Sequence, residues 1–275
     1  MKRTHAFHAT WGHAPTRTEL LSTLETDGAS ITKEGAWRAL QESADEKRTR
    51  HEDEMFTPRK LRTARRVAGW LARCSSVRFV ALCNTTALGH ARNEADLDFF
   101  AIIRTGTIMA TRGLATLPFK LARRRPGEGE RDAVCLSYFV TDDGLDLSSH
   151  MLTPDDPYFR YWFLSLLPLY DDGISAEFWA VNTAITSRHA FATRWIPPPD
   201  FRVQTPRLRI PVPRWLEPVA RGIQTRAFPA AIRNLMNRDT RVIVTDKALK
   251  FHVDDRREEY RRRYEDECRI RGIRV

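Results

Sequence analysis

The stretch 77–103, VRFVALCNTTALGHARNEADLDFFAII, reads as a strand, a tight polar turn, a short helix or loop, and a second strand. Its first run, 77–82, is short, apolar and β-branched at its start, as a buried strand should be. The second run, 96–103, carries two carboxylates two residues apart. Side chains alternate across a strand, so Asp96, Asp98, Phe100 and Ile102 share one face, and Leu97, Phe99, Ala101 and Ile103 the other. Two carboxylates side by side on so apolar a strand repel each other unless a cation lies between them. Mg²⁺, with Mn²⁺ as its substitute, suits the place, because Mg²⁺ takes one or two carboxylates and completes its shell with substrate phosphates. The alternative, a strand end with both groups in water, fits poorly with the apolar residues that follow. Asn84, Thr85 and Thr86 come directly after the first strand. Asn tolerates left-handed backbone, and the hydroxyls and free amides of such a turn can hold phosphate.

Strand, phosphate-holding turn and Asp-x-Asp strand together resemble the core of the polymerase-β-like nucleotidyltransferase superfamily. That family usually writes the turn as Gly-Ser, with Asp-x-Asp following it. Here Asn84-Thr85 stands at the turn and Asp96-Leu97-Asp98 at the matching distance. The segments 106–112 (GTIMATR), 135–139 (CLSYF), 155–170 and 249–252 (LKFH) look like blocks of a group of poorly characterised bacterial nucleotidyltransferase-domain proteins. The resemblance implies a mixed α/β (α+β) fold with helices on the faces of one sheet. It implies transfer of a nucleoside monophosphate from an NTP to a hydroxyl acceptor. Asp96 and Asp98 would be the catalytic, metal-binding pair, and Asn84, Thr85, Thr86 and Arg112 would meet the nucleotide phosphates. A surface salt bridge is the other reading of Arg112.

One part of the family pattern is missing. The strand beside Asp-x-Asp usually brings a third carboxylate. Here it reads AVCLSYFVT over 133–141, with Ser137 at its middle and no acid inside it. Asp132 before it and Asp142 or Asp143 after it are the nearby substitutes. A catalytically impaired module that binds nucleotide or RNA is therefore the rival reading, and an interaction protein whose sheet is only scaffold is a third.

A chain of 275 residues has room for one large or two modest domains. Its net charge of +10, from 45 basic and 35 acidic residues, suits a polyanionic partner or simply solubility. Cys74, Cys83, Cys135 and Cys268 are scattered, which argues against zinc and against a disulfide framework. His5, His8 and His13 cluster near the N-terminus, a poor place for a metal cage. P-loop, Rossmann, G-x-S-x-G and H-E-x-x-H patterns are absent. The start lacks an apolar leader, and the most apolar run, 161–170, is too short to span a bilayer, so a cytoplasmic protein without membrane contact is expected.

The chain divides into a helical segment over 1–74, the nucleotidyltransferase core over 75–150, and a helical region over 151–275 with an added edge strand at 241–245. Thr16 and Glu19 fit a capping box, and a second helix is expected over 33–44, followed by a charged loop over 46–54. In 58–73, Pro58 suits the first helical position, and Leu61, Ala64, Val67, Ala68 and Leu71 form one apolar stripe. Arg59, Lys60, Arg62, Arg65, Arg66 and Arg73 occupy the remaining faces, as an RNA-tracking array or a solvated surface. A helix starting at Pro157 should stop near Pro168, another should cover 176–192, and a third 215–236 with a break near Pro229. Lys250 and His252 either reach phosphates or pack inward. Asp254 and Asp255 lead into a charged helix that runs to 271 and reads as solvated.

Overall fold

Six strands pair in one mixed sheet. They are β1 (Val77–Leu82), β2 (Leu97–Ile103), β3 (Val134–Thr141), β4 (Leu167–Asp171), β5 (Val242–Val244) and β6 (Ala248–Phe251), in the order β4-β1-β2-β3-β6-β5. The computed structural model describes residues 2–11, 15, 17–25, 32–34, 36, 57–88, 92–127, 131–197 and 199–273. Among these residues the helices are α1 (Lys2–Trp11), α2 (Arg17–Ser22), α3 (Thr57–Leu71), α4 (Asn84–Ala87), α5 (Ile108–Leu121), α6 (Pro157–Leu164), α7 (Ser175–Val181), α8 (Thr183–Thr186), α9 (Leu216–Ala227), α10 (Ala230–Leu235) and α11 (Arg257–Ile270). None is long and apolar enough to cross a membrane.

The alternation read in 77–103 decides the layers. Phe79, Ala81, Phe100 and Ile102 bury on one face, with Tyr138 and Val140, under an aromatic layer that includes Trp162 and Phe178. Val80, Leu82, Phe99, Ala101 and Ile103 bury on the other, under the α3 stripe of Leu61, Ala64, Val67, Ala68 and Leu71. With both faces covered, the central strands are apolar on both sides. β1 and β2 are antiparallel, whereas β2 and β3 are parallel, and α5 makes the crossover between them.

Several expectations need correction. The helix from Pro157 ends at Leu164, and residues around Pro168 form β4, whose Pro168 sits opposite Ala81 of β1. β4 is an edge strand, the position where a proline's missing N–H costs a sheet least. The helix over 176–192 breaks at Asn182, whose side-chain amide donates to the carbonyls of Leu145 and Phe178 while its oxygen accepts from the Leu147 amide. α11 is not merely solvated, since Arg257, Tyr264 and Cys268 are buried on it. Arg59 and Lys60 leave the basic array: Lys60 is buried, and both donate to Asp132.

The strand expected at 241–245 does form an edge, as β5, but it joins the sheet only through β6. The region 151–275 thus contributes β4, β5 and β6 to the sheet besides its helices. α9 and α10 flank the expected break at Pro229. The N-terminus docks rather than dangles: Phe7 of α1 stacks on Tyr161, and His8 is buried beside Thr23. The expected helix over 33–44 lies outside the described residues apart from 33, 34 and 36, and the loop over 46–54, Thr16 and His13 lie outside them altogether.

Candidate functional site

The first strand ends at Leu82, and Asn84 opens α4 with a left-handed backbone, φ 59°. That reversal turns the Asn84 side chain back over the sheet. Its Nδ2 donates to Asp98 Oδ2 at 2.9 Å, and its Oδ1 accepts from the Tyr158 hydroxyl at 3.3 Å. Asp98 lies on the Phe100 face of β2, and Asp96 stands just before the strand. Burial pushes the Asp98 carboxyl up, only partly offset by the Asn84 amide and the Cys135 thiol. Asp96 is also raised, by burial first and then by the charge of Asp98, against the opposing charge of Lys60. Neither carboxylate makes an ion pair with another described residue.

Both carboxylates and Asn84 line a pocket of about 470 Å³ whose opposite wall comes from Tyr158, His252, Asp254, Asp255 and Tyr260. Thr86 is next to it but buried, and its hydroxyl donates to the Asp96 carbonyl at 3.4 Å. Thr86 therefore braces the loop that carries Asp96. Thr85 is exposed and contributes nothing to the pocket wall. Of the polar turn, only Asn84 joins the carboxylates directly.

The strand beside Asp98 carries no acid, and its pairing there is irregular. Along β2 and β3 the pairing passes from Asp98 opposite Cys135 to Phe100 opposite Tyr138, so β3 holds one extra residue. Such a bulge re-aims side chains beside a site. Ser137 falls in it and meets His252 Nε2 through its Oγ at 3.3 Å. Burial, then the charge of Lys250, pulls His252 down to about 3, so this imidazole is neutral. Lys250 itself stays outside the pocket: it is buried, its Nζ donates to the Thr240 carbonyl at 2.8 Å, and burial with Arg257 pulls it down to about 7.

None of the three nearby acids, Asp132, Asp142 and Asp143, lines that pocket, and Asp143 accepts from the Thr105 and Thr141 hydroxyls. Asp132 is held by Lys60 at 2.7 Å and Arg59 at 3.0 Å. Asp142 lies at the far end of β3, bonded to Thr105 and Arg78. The acids that share the pocket come from the segment before α11. Asp255 is paired with Arg257 at 2.7 Å, whereas Asp254 is exposed on the wall and makes no ion pair among the described residues. In the sequence these two acids are only a charged lead-in to a helix. Tyr158 and Tyr260, 5.2 Å apart between ring centroids, are invisible to sequence reasoning because no local signal links them to Asp98.

Among the described residues no three His, Cys, Asp or Glu side chains are grouped as a metal cage. Asp96 and Asp98 still offer two hard oxygen ligands, which is what Mg²⁺ takes from a protein when phosphates and water complete its shell. Arg112 is not in this pocket. It lines an adjoining cavity of about 200 Å³ that shares Cys135, Ser137 and Phe251 with it. Compared with models of known families, with curated proteins and with solved structures, the chain matches none.

Proposed function

We propose that the chain is a nucleotidyltransferase that moves a nucleoside monophosphate from an NTP to a hydroxyl acceptor and releases pyrophosphate. The observation that carries this reading is the Asp96–Asp98 pair: two adjacent carboxylates, without an ion pair among the described residues, on the floor of a pocket large enough for a nucleotide. A divalent ion bound there, Mg²⁺ or Mn²⁺, would neutralise the carboxylates and the phosphates together. Asn84 holds Asp98 in one orientation, and Tyr158 holds Asn84. Of the polar turn, Asn84 is the residue on the pocket wall with the carboxylates, while Thr85 is exposed outside that wall. Tyr158 and Tyr260 offer aromatic surface to a base.

The rival reading, a binding module without transfer, is favoured by Ser137 in the place of an acid and by the capture of Asp132. Among the described residues, Asp254 is the acid on the pocket wall, besides the pair, that makes no ion pair, and it could accept a proton from an attacking hydroxyl. RNA is the first polymer to try, as acceptor in the first reading and as ligand in the second, because Arg62, Arg65 and Arg66 of α3 are exposed and make no ion pair among the described residues.

Incubation with each α-labelled NTP and Mg²⁺ or Mn²⁺, with and without RNA, separates these readings. Labelled protein or RNA, lost in Asp98→Asn, supports transfer. Metal-dependent NTP binding without label supports the module. No NTP binding, or label unchanged in Asp98→Asn, overturns the site.

A further inference from the structure

Arg112 has a strange setting for a cation. Its guanidinium lies 4.5 Å from the centroid of the Phe251 ring and 5.7 Å from that of Phe228. One nitrogen, Nη1, donates to Gln224 Oε1 at 2.6 Å, but Nε is buried and has no hydrogen-bond partner. No carboxylate pairs with Arg112 among the described residues. Burial, and then the like charge of Arg125, pulls it down to about 10. Arg125 stands on the wall of the same cavity, also without an ion pair among the described residues. A cation taken out of water needs an anion or a full set of hydrogen bonds to offset the cost of desolvation. Here two cations face one small concavity, and one buried donor is unused.

We propose that this cavity is a binding subsite for a phosphate monoester, held by Arg112 and Arg125. Two guanidinium groups call for about two negative charges, which a phosphate monoester carries near neutral pH and a carboxylate does not. The planar fork of arginine also matches phosphate oxygens. The Ser137 hydroxyl, on the wall that this cavity shares with the carboxylate pocket, offers a further polar contact. The subsite does not depend on nucleotidyl transfer or on a metal. In a transferase its position beside Asp98 would suit an acceptor that carries a terminal phosphate.

The test is calorimetric titration of the full chain, in EDTA, with inorganic phosphate, methyl phosphate and acetate. Both phosphates should bind and acetate should bind much more weakly. Stronger binding of methyl phosphate than of inorganic phosphate would identify an ester as the natural occupant. Arg112→Met should weaken phosphate by roughly tenfold or more, the worth of a charge-assisted hydrogen bond. The same change should raise Tm in phosphate-free buffer, because it removes an unpaired buried charge. Asp98→Asn, which removes a neighbouring like charge, should not weaken phosphate binding, whereas it removes a ligand from the carboxylate pocket. Should Arg112→Met not fold, the Nε–H resonance of Arg112 in the wild type decides: it should shift on phosphate addition. No phosphate binding, binding unaffected by Arg112→Met, equal binding of acetate, or an unmoved Nε–H signal would each overturn the proposal.

Discussion

Asn84 joins backbone geometry to electrostatics in one side chain. Its left-handed φ of 59° costs a residue with a Cβ about 1–2 kcal/mol, a cost that Asn tolerates and Gly escapes. Its amide restrains Asp98. Asn84→Gly should therefore keep the turn and lose only the amide, whereas Asn84→Ala should lose about 1 kcal/mol more in urea denaturation. Both should weaken Mn²⁺ binding, measured by calorimetry, to the same degree, because both free Asp98. A weaker effect in Gly than in Ala would mean that backbone strain, not the amide, shapes the site. Asp98 itself is legible from the sequence, since a period of two on an apolar strand is enough to assign its face. Thr85 and Thr86 are only half legible: the turn is visible, but which hydroxyl faces out depends on how the loop carrying Asp96 folds over α4.

At the scale of the element, α3 shows two kinds of cation on one helix. Lys60 is buried against Asp132 and the Ala95 carbonyl, at 2.7 Å and 2.5 Å. Lys60→Met should cost about 3 kcal/mol in chemical denaturation, because breaking a buried pair leaves Asp132 with Arg59 as its remaining partner. Arg62, Arg65 and Arg66 face outward, and replacing all three with Gln should leave Tm nearly constant. If α3 binds RNA, that triple change should flatten the salt dependence of log K by roughly 0.7–0.9 for each phosphate that is no longer neutralised. A salt-insensitive affinity would return this face to ordinary solvated surface. The helical period places the apolar stripe correctly. It does not separate Lys60 from Arg62, because that difference is made by Asp132, far along the chain.

At the scale of the whole molecule, Glu25 ties the N-terminal segment to α6 and α11. It accepts from Arg160 Nη2 at 2.8 Å and from the Tyr264 hydroxyl at 3.2 Å. Burial acts to raise this carboxyl, but the charge and hydrogen bond of Arg160, with help from His189, hold it below its usual value. The stabilisation is therefore complete above the unfolded carboxylate range, about pH 4.3, and is lost as pH falls through the lower folded value. Glu25→Gln should cost about 3 kcal/mol at neutral pH, since Asp155 remains beside Arg160. Its urea midpoint should fall less than that of the wild type on acidification below pH 4.3, about the unfolded value. Parallel acid profiles for the two proteins would show that Glu25 is not what links the termini.

What the sequence determined by itself was local and periodic: the two central strands, the face of Asp98, the stripe of α3, the break at Pro229 and the extended run at 241–245. Each follows from the spacing of side chains along one element, where the period is fixed by backbone geometry. Only the tertiary structure decided that Pro168 lies in a strand, that Ser137 falls in a bulge, that Tyr158 and Asp254 line one pocket with Asp98, and that Arg112 lines the adjoining cavity. These depend on which distant segments pair and pack, and no local period encodes that choice.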